Sequence, residues 1–368
     1  MGGYFIMKRN RIFLVVMVLS MLLIFTCSII YASENLNKKL KIVFLIETTV
    51  GDYGWFYSHD VARIKADNAL DFVETRSIEN VTPGAVGERI IKELCNDGID
   101  VIVAAGMQFQ ADVVKVADDY PNVKFLICSG TVSTNNIESF WPDRTQLWYM
   151  LGQIAGLLTK TNYIGTVGSF STPLGKPIEN AWLLGAQSVN PEVKERIIFV
   201  NTWYDPAAER DAALSLIDAG VDVLSQNTNS PAVVQAAEEM GVYAMAQFED
   251  MREFGPNAYI GGEILKWGNY YIQTFTSIYE GTWEAKMYYP DFPTGVIDLQ
   301  EFGPMVTEQM KEIVNSTKRK ILDEDPYFFW EGPIYDNQGN LRVKKGEKKS
   351  LKEYSMDWSV KGIISSSR

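Results

Sequence analysis

Several apolar runs of this chain are followed within a few residues by an aromatic side chain: Trp55 and Tyr57, Phe109, Phe170, Trp203 and Phe248. Near them stand groups that give or take hydrogen bonds, namely Asp52, Gln108, Ser129, Asn227, Thr228, Glu249 and Asp250, and Trp267 opens a later aromatic stretch. These types suit one chemistry. A flat heteroaromatic ring is held between aromatic faces, each stacking pair adding about 0.5–1.5 kcal/mol beyond burial, and its edge nitrogens meet a few placed polar groups. This is the chemistry of binding. Covalent or metal-assisted reactions call for other patterns, and the chain has no nucleophile elbow and no phosphate loop ending in Lys-Ser or Lys-Thr. Its single histidine, His59, and its scattered cysteines offer no zinc spacing. Gly84-Ala85-Val86-Gly87 is too weak a pattern for a phosphate cradle. The expectation is a protein that is not an enzyme and uses no cofactor or metal.

Plainer roles compete for the same residues. Trp55 begins a helix and could pack beneath its loop, and Trp203 could belong to a core. Asp52 serves equally well as a helix cap, and Glu249-Asp250 contains room for one structural charge. Asp205-Pro206 reads as a cap followed by proline at the first helical position.

The elements that must position these groups repeat. Glu88-Arg89 open an apolar helical run that stops at Asp97-Gly98-Ile99-Asp100, followed by the strand-like Val101–Ala104 and a helix with Val113-Val114. Glu209-Arg210 open a second such run, which stops at Gly220-Val221-Asp222 before Val223-Leu224-Ser225 and a helix with Val233-Val234. A helix, a glycine stop, a buried strand and another helix, met twice, predict two α/β lobes of one design. Continuous apolar strands such as Lys41–Ile46 imply parallel sheets covered on both faces. In open parallel sheets, ligands lie beyond the carboxyl ends of the strands. The loops expected to line a cleft therefore begin near Thr48, Ala105, Ser129, Ser169, Thr202, Gln226 and Gln247. Ser129–Arg144 reads as polar turns, and the helix that follows has Gly152, Ala155 and Gly156 for close packing.

At 368 residues, 46% of them hydrophobic, the chain can bury more than one core. Lys8, Arg9 and Arg11 precede an uncharged run from Ile12 to Ala32, the layout of an export signal spanning residues 1–33. Ala32 suits ordinary cleavage, and Cys27 suits lipid attachment. The net charge of the whole chain is −12, and the signal is basic, so the exported body is more acidic still. Such a body is a poor nucleic-acid binder. Cys95 and Cys128 lie in apolar contexts and read as buried thiols.

Five segments resemble the basic membrane protein family of bacterial solute-binding proteins: Gly51–Asp60, Lys160–Gly165, Gly185–Pro191, Trp203–Pro206 and Met356–Trp358. The resemblance extends over about residues 40–364 and is strongest to the branch associated with adenine and related purines. It implies a type I periplasmic binding protein fold, with two Rossmann-like lobes joined by a three-strand hinge. Residues 40–132 with 264–290 would form the N-terminal lobe, and 133–262 with 291–368 the C-terminal lobe and tail. It also implies an exported, monomeric subunit of an ABC importer that hands a purine-like molecule to membrane permease subunits. An extracytoplasmic sensor of the same fold stays open, as does a nucleoside or another heteroaromatic ligand. Two departures bear on the ligand. Ser129 stands where nucleoside-binding members carry Asp, and Phe248-Glu249-Asp250 replaces an Asp-Ser-Asp-type segment whose first carboxylate grips ribose. Both departures favour a free nucleobase, adenine first.

Overall fold

The computed structural model describes residues 39–349 and 355–367; the export signal and Cys27 lie outside them. In the first half, β1 (Leu40–Leu45), α1 (Trp55–Ala69), β2 (Val73–Ile78), α2 (Ala85–Asn96), β3 (Val101–Ala104), α3 (Gln110–Ala117), β4 (Lys124–Cys128) and β5 (Ile137–Phe140) alternate. After α4 (Thr145–Leu158) the pattern starts again: β6 (Tyr163–Gly168), α5 (Lys176–Val189), β7 (Lys194–Phe199), α6 (Pro206–Asp218), β8 (Val223–Asn227), α7 (Ala232–Met240), β9 (Tyr243–Ala246) and β10 (Tyr259–Leu265). The chain continues through α8 (Trp267–Tyr279), β11 (Met287–Tyr288), β12 (Ile297–Leu299), α9 (Glu308–Asp323), the hairpin β13 (Ile334–Tyr335) and β14 (Leu341–Val343), and β15 (Ile363–Ser367).

The two sheets are built alike. One runs β11-β5-β4-β3-β1-β2, the other β12-β10-β9-β8-β6-β7-β15. In each, the first strand of its half sits between the second and third, so β1/β3 and β6/β8 are the points where strand order reverses. The repeat read from the sequence is thus a repeat of topology. The buried run Ile42–Ile46 packs between helices on both faces, as a parallel strand requires. One apolar cluster belongs to the first sheet, one to the second, and the largest runs through both.

The chain passes between sheets after Phe140, after Leu265 and after Tyr288. The three crossings are stitched together: Trp141 N–H donates to Tyr288 C=O at 2.9 Å, Asp143 N–H to Pro290 C=O at 2.7 Å, and Lys266 N–H to Val296 C=O at 2.7 Å. The first crossing falls later than the sequence reading placed it, because β5 pairs with β4 in the first sheet. That strand escaped recognition because it carries a carboxylate, Glu138, which is buried and accepts the Tyr270 hydroxyl at 2.6 Å. Likewise β10 runs on to Leu265 within the second sheet.

The packing of α4 on α5 shows why small residues recur there. A Cβ on Gly152 would lie 2.2 Å from the Trp182 carbonyl, and one on Gly185 would lie 2.0 Å from that of Tyr149.

Candidate functional site

The strand ends of both sheets open onto one cavity of 440 Å³. Every loop expected to line a cleft contributes to it. From the first lobe come Trp55, Met107, Gln108 and Ser129; from the second come Ser169, Phe170, Trp203, Asn227, Asn229 and Phe248.

The aromatic groups are held by identifiable contacts. Trp55 donates its indole N–H to Ala105 C=O at 2.6 Å, which locks the ring. His59 and Trp267 back it edge-on at 5.3 and 5.8 Å. Burial drives the His59 imidazole down to about 3, so the ring is neutral and packs as an aromatic. Across the cavity, Phe170 and Trp203 meet edge to face at 5.1 Å, and Trp203 is still 38% exposed. Phe248 meets Trp55 edge-on at 5.2 Å, joining the lobes.

Phe248 holds an unusual backbone. Its φ is 69°, and Glu249 N–H donates to Gln247 C=O at 2.8 Å. A three-residue loop with that bond and a positive central φ is the strained form of the γ-turn. Three contacts hold it. Gln247 Nε2 donates to Thr228 C=O at 2.5 Å, Gln300 Nε2 donates to Glu249 C=O at 2.8 Å, and the Arg144 guanidinium lies 4.7 Å over the Phe248 ring. Arg144 itself donates through Nε to Glu263 at 2.7 Å and through Nη2 to Gln247 Oε1 at 2.7 Å, and Nη2 also pairs with Glu263. A cation from the first crossing is thus neutralised by a carboxylate on β10. Strained backbone kept in place by surrounding bonds is commonly found where a ligand is gripped.

The lobes touch around the cavity. Tyr53 donates its hydroxyl to Glu253 at 3.1 Å and sets its ring edge-on to Phe254 at 5.0 Å. Gly54 lies so close to Asn229 that a Cβ on it would come within 2.6 Å.

The remaining sequence candidates lie off the cavity wall. Asp52 caps α1, accepting from the N–H groups of Gly54, Phe56 and Tyr57, and burial pushes its carboxyl up to about 6. Tyr57 stacks on Tyr53 at 4.9 Å. Phe109 is buried in the first lobe's own core, because a short 3-10 turn swings its side chain inward. Thr228 is buried with only its carbonyl engaged. Glu249, pushed up to about 7 by burial and then by its neighbour Asp250, does not line the cavity. Asp250 pairs with Arg252 at 2.7 Å. Trp267 is buried and stacks on His59 at 5.0 Å, so it supports Trp55 from behind.

Conversely, two polar groups that are not among the binding candidates of the sequence reach the cavity. Ser169 is 1% exposed and its hydroxyl has no hydrogen-bond partner among the described residues. Asn229 is 4% exposed, and its backbone N–H is tied to Trp203 C=O at 2.9 Å. Its side-chain amide makes no protein hydrogen bond among the described residues. A buried hydroxyl without a partner is costly, and Ser169 and Asn229 both line the cavity. Serine and asparagine in loops read first as turn formers, so only Ser169, at a strand end, carried any signal. Among the described residues no group of acidic, histidine or cysteine side chains is placed to hold a metal ion. Cys95 and Cys128 are free and buried.

Two α/β lobes with matching strand order, three crossings and a shared cavity define the type I periplasmic binding protein fold. A solute-binding protein of an ABC transporter from Aeropyrum pernix superimposes with a TM-score of 0.68 at 16% identity, covering 81% of this chain and 93% of that one. A transcriptional activator of the comK gene from Bacillus halodurans does so with a TM-score of 0.68 at 22% identity, over 77% of this chain and 98% of that one.

Residues 39–326 match the family model described as Bmp, ABC transporter substrate-binding protein PnrA-like, and the chain belongs to that family. It is 35% identical to a purine-binding protein of Brucella abortus over 86% of this chain and 90% of the other. It is also 35% identical to a Haloferax volcanii protein named for glucose binding by an ABC transporter, over 79% of this chain and 74% of that one. The family is extracytoplasmic and takes small molecules to ABC permeases. No helix among the described residues is long and apolar enough to cross a membrane.

Proposed function

We propose that this protein captures a purine base, adenine first, outside the cytoplasmic membrane and delivers it to an ABC permease. The observation that carries this reading is the lining of the lobe-bridging cavity. Aromatic faces approach from both lobes, the Ser169 hydroxyl has no partner among the described residues, Asn229 brings an amide to the lining, and no carboxylate is among the lining residues. The ring lies between Trp55 on one lobe and Phe170 and Trp203 on the other, where stacking is insensitive to substituents. An amide such as that of Asn229 gives one hydrogen bond and takes one, which matches the N6/N7 edge of adenine. Guanine presents adjacent N–H donors that call for acceptors, and a sugar presents a ring of hydroxyls. A wall without carboxylates serves both poorly. Ribose also loses its partner where Phe248 stands. Ligand bound to both lobes favours the closed form through contacts that exist only there.

Mass spectrometry of small molecules released by denaturing the freshly purified protein tests the reading directly. A purine is expected. Calorimetry should then rank adenine above adenosine, guanine and glucose. Much tighter adenosine binding overturns the ordering, and glucose binding without purine binding overturns the purine assignment.

A further inference from the structure

The cavity is larger than its proposed occupant. Even at the ~30 Å³ that a water molecule occupies in the liquid, the roughly ten non-hydrogen atoms of a purine base fill only about 300 Å³. The cavity measures 440 Å³. The surplus is bounded in part by an apolar wall. The first crossing contributes Trp141 and Pro142, the turn leading into α5 contributes Pro173 and Leu174, and the first turn of α5 contributes Ile178. Two polar side chains beside this wall are already engaged. Thr172 Oγ1 accepts from Gly175 N–H at 3.1 Å, and Arg144 is held by Glu263 and Gln247. Pro173 C=O accepts from Met356 N–H at 2.8 Å, which ties the turn to the C-terminal segment.

Set against the side chains of Pro142, Pro173, Leu174 and Ile178, which offer no hydrogen-bonding group, a ribose would leave its hydroxyls unpaired. An apolar group would gain the full benefit of burial. Resting on the purine reading, we infer that the site takes purines bearing an apolar substituent, such as an N6-alkyl or N6-arylalkyl group, in preference to the bare base. The substituent lies along the Pro142–Pro173–Leu174–Ile178 wall. Such a substituent leaves one N6–H available on the N7 side, so the amide contact with Asn229 survives.

The test is calorimetry of the purified protein with adenine, adenosine and 6-benzylaminopurine. Burying a phenyl group on this wall should make 6-benzylaminopurine at least about tenfold tighter than adenine. Adenine binding with equal or weaker 6-benzylaminopurine binding overturns the inference and leaves the purine reading standing. If none of the three binds, the purine reading itself fails. Leu174→Trp supplies a second readout. Leu174 is half-buried on a loop, so the larger ring can be accommodated without repacking a core. The ratio of the two affinities should fall towards one in that variant. An unchanged ratio would place the substituent elsewhere and overturn the assignment of this wall.

Discussion

Trp55 and Trp203 illustrate what a single side chain contributes here. Trp55 is pinned through its indole N–H to Ala105, so its face is presented to the cavity at little entropic cost, whereas Trp203 is partly exposed at the mouth. Replacing either by alanine should weaken adenine binding by about two- to tenfold from the stacking term alone, more for Trp55, because its neighbour Phe248 also loses a contact. Calorimetry on both variants and the double variant decides this; unchanged affinity in all three would remove the stacking pair.

A second residue-scale consequence concerns acid groups. Glu195 is buried on β7, with Thr166 donating to it, and burial drives its carboxyl well above the ordinary range, aided by nearby Glu179. Burial pushes Glu179 itself up to about 7. A folded value above the unfolded one means the folded state binds the extra proton. The stability it contributes is full below about 4.5 and is lost as pH rises through about 7. Glu179→Gln should therefore gain stability over the parent as pH rises across that window. A melting-temperature difference that stays constant with pH would count against it.

Gly185 and Gly54 are two of the positions where elements approach too closely for a Cβ. The Cβ of alanine at Gly185 would strike the Tyr149 carbonyl, so α4 and α5 would have to separate. Gly185→Ala should cost about 1–3 kcal/mol of stability, read as a lowered melting temperature. Gly54→Ala belongs to a different case. Its obstacle is Asn229 on the other lobe, so the lobes can relieve the clash by parting. The expected result is an unchanged melting temperature without ligand, weakened adenine binding, and a larger radius of gyration by small-angle scattering. A variant that binds normally would show that the Gly54–Asn229 approach is not required for closure.

These elements differ in how far the chain alone reveals them. The repeated helix–strand–helix units of the two lobes were legible because buried parallel strands are continuous apolar runs between helices with glycine stops; the strand orders about β1/β3 and β6/β8 appear only in the structure. β5 was not, since its buried Glu138 becomes tolerable only once Tyr270 arrives from more than a hundred residues away. Phe109 and Trp267 follow strands as the cleft residues do, yet a 3-10 turn and the face of α8 direct them inward.

At the scale of the molecule, the hinge and the cavity share one network. Arg144 leaves the first crossing, pairs with Glu263 on β10, holds Gln247 and covers Phe248. Arg144→Met leaves Glu263 buried without its cation and should cost about 3–5 kcal/mol in chemical denaturation. Glu263→Gln added to it should recover part of that loss. Additive losses would show that the pair is not a unit.

Taken by itself, the chain determined the two α/β lobes, the strand ends that face the cleft and the aromatic character of the binding surface. Those follow from local periodicity and from the rule that parallel strands deliver their loops to one edge. Only the tertiary structure decided which side chains reach the cavity, that the Ser169 hydroxyl arrives there without a partner among the described residues and the Asn229 amide with it, and that the crossing segment and α5 add an apolar wall. Each depends on backbone direction and on contacts between residues far apart in the chain, which no local pattern encodes.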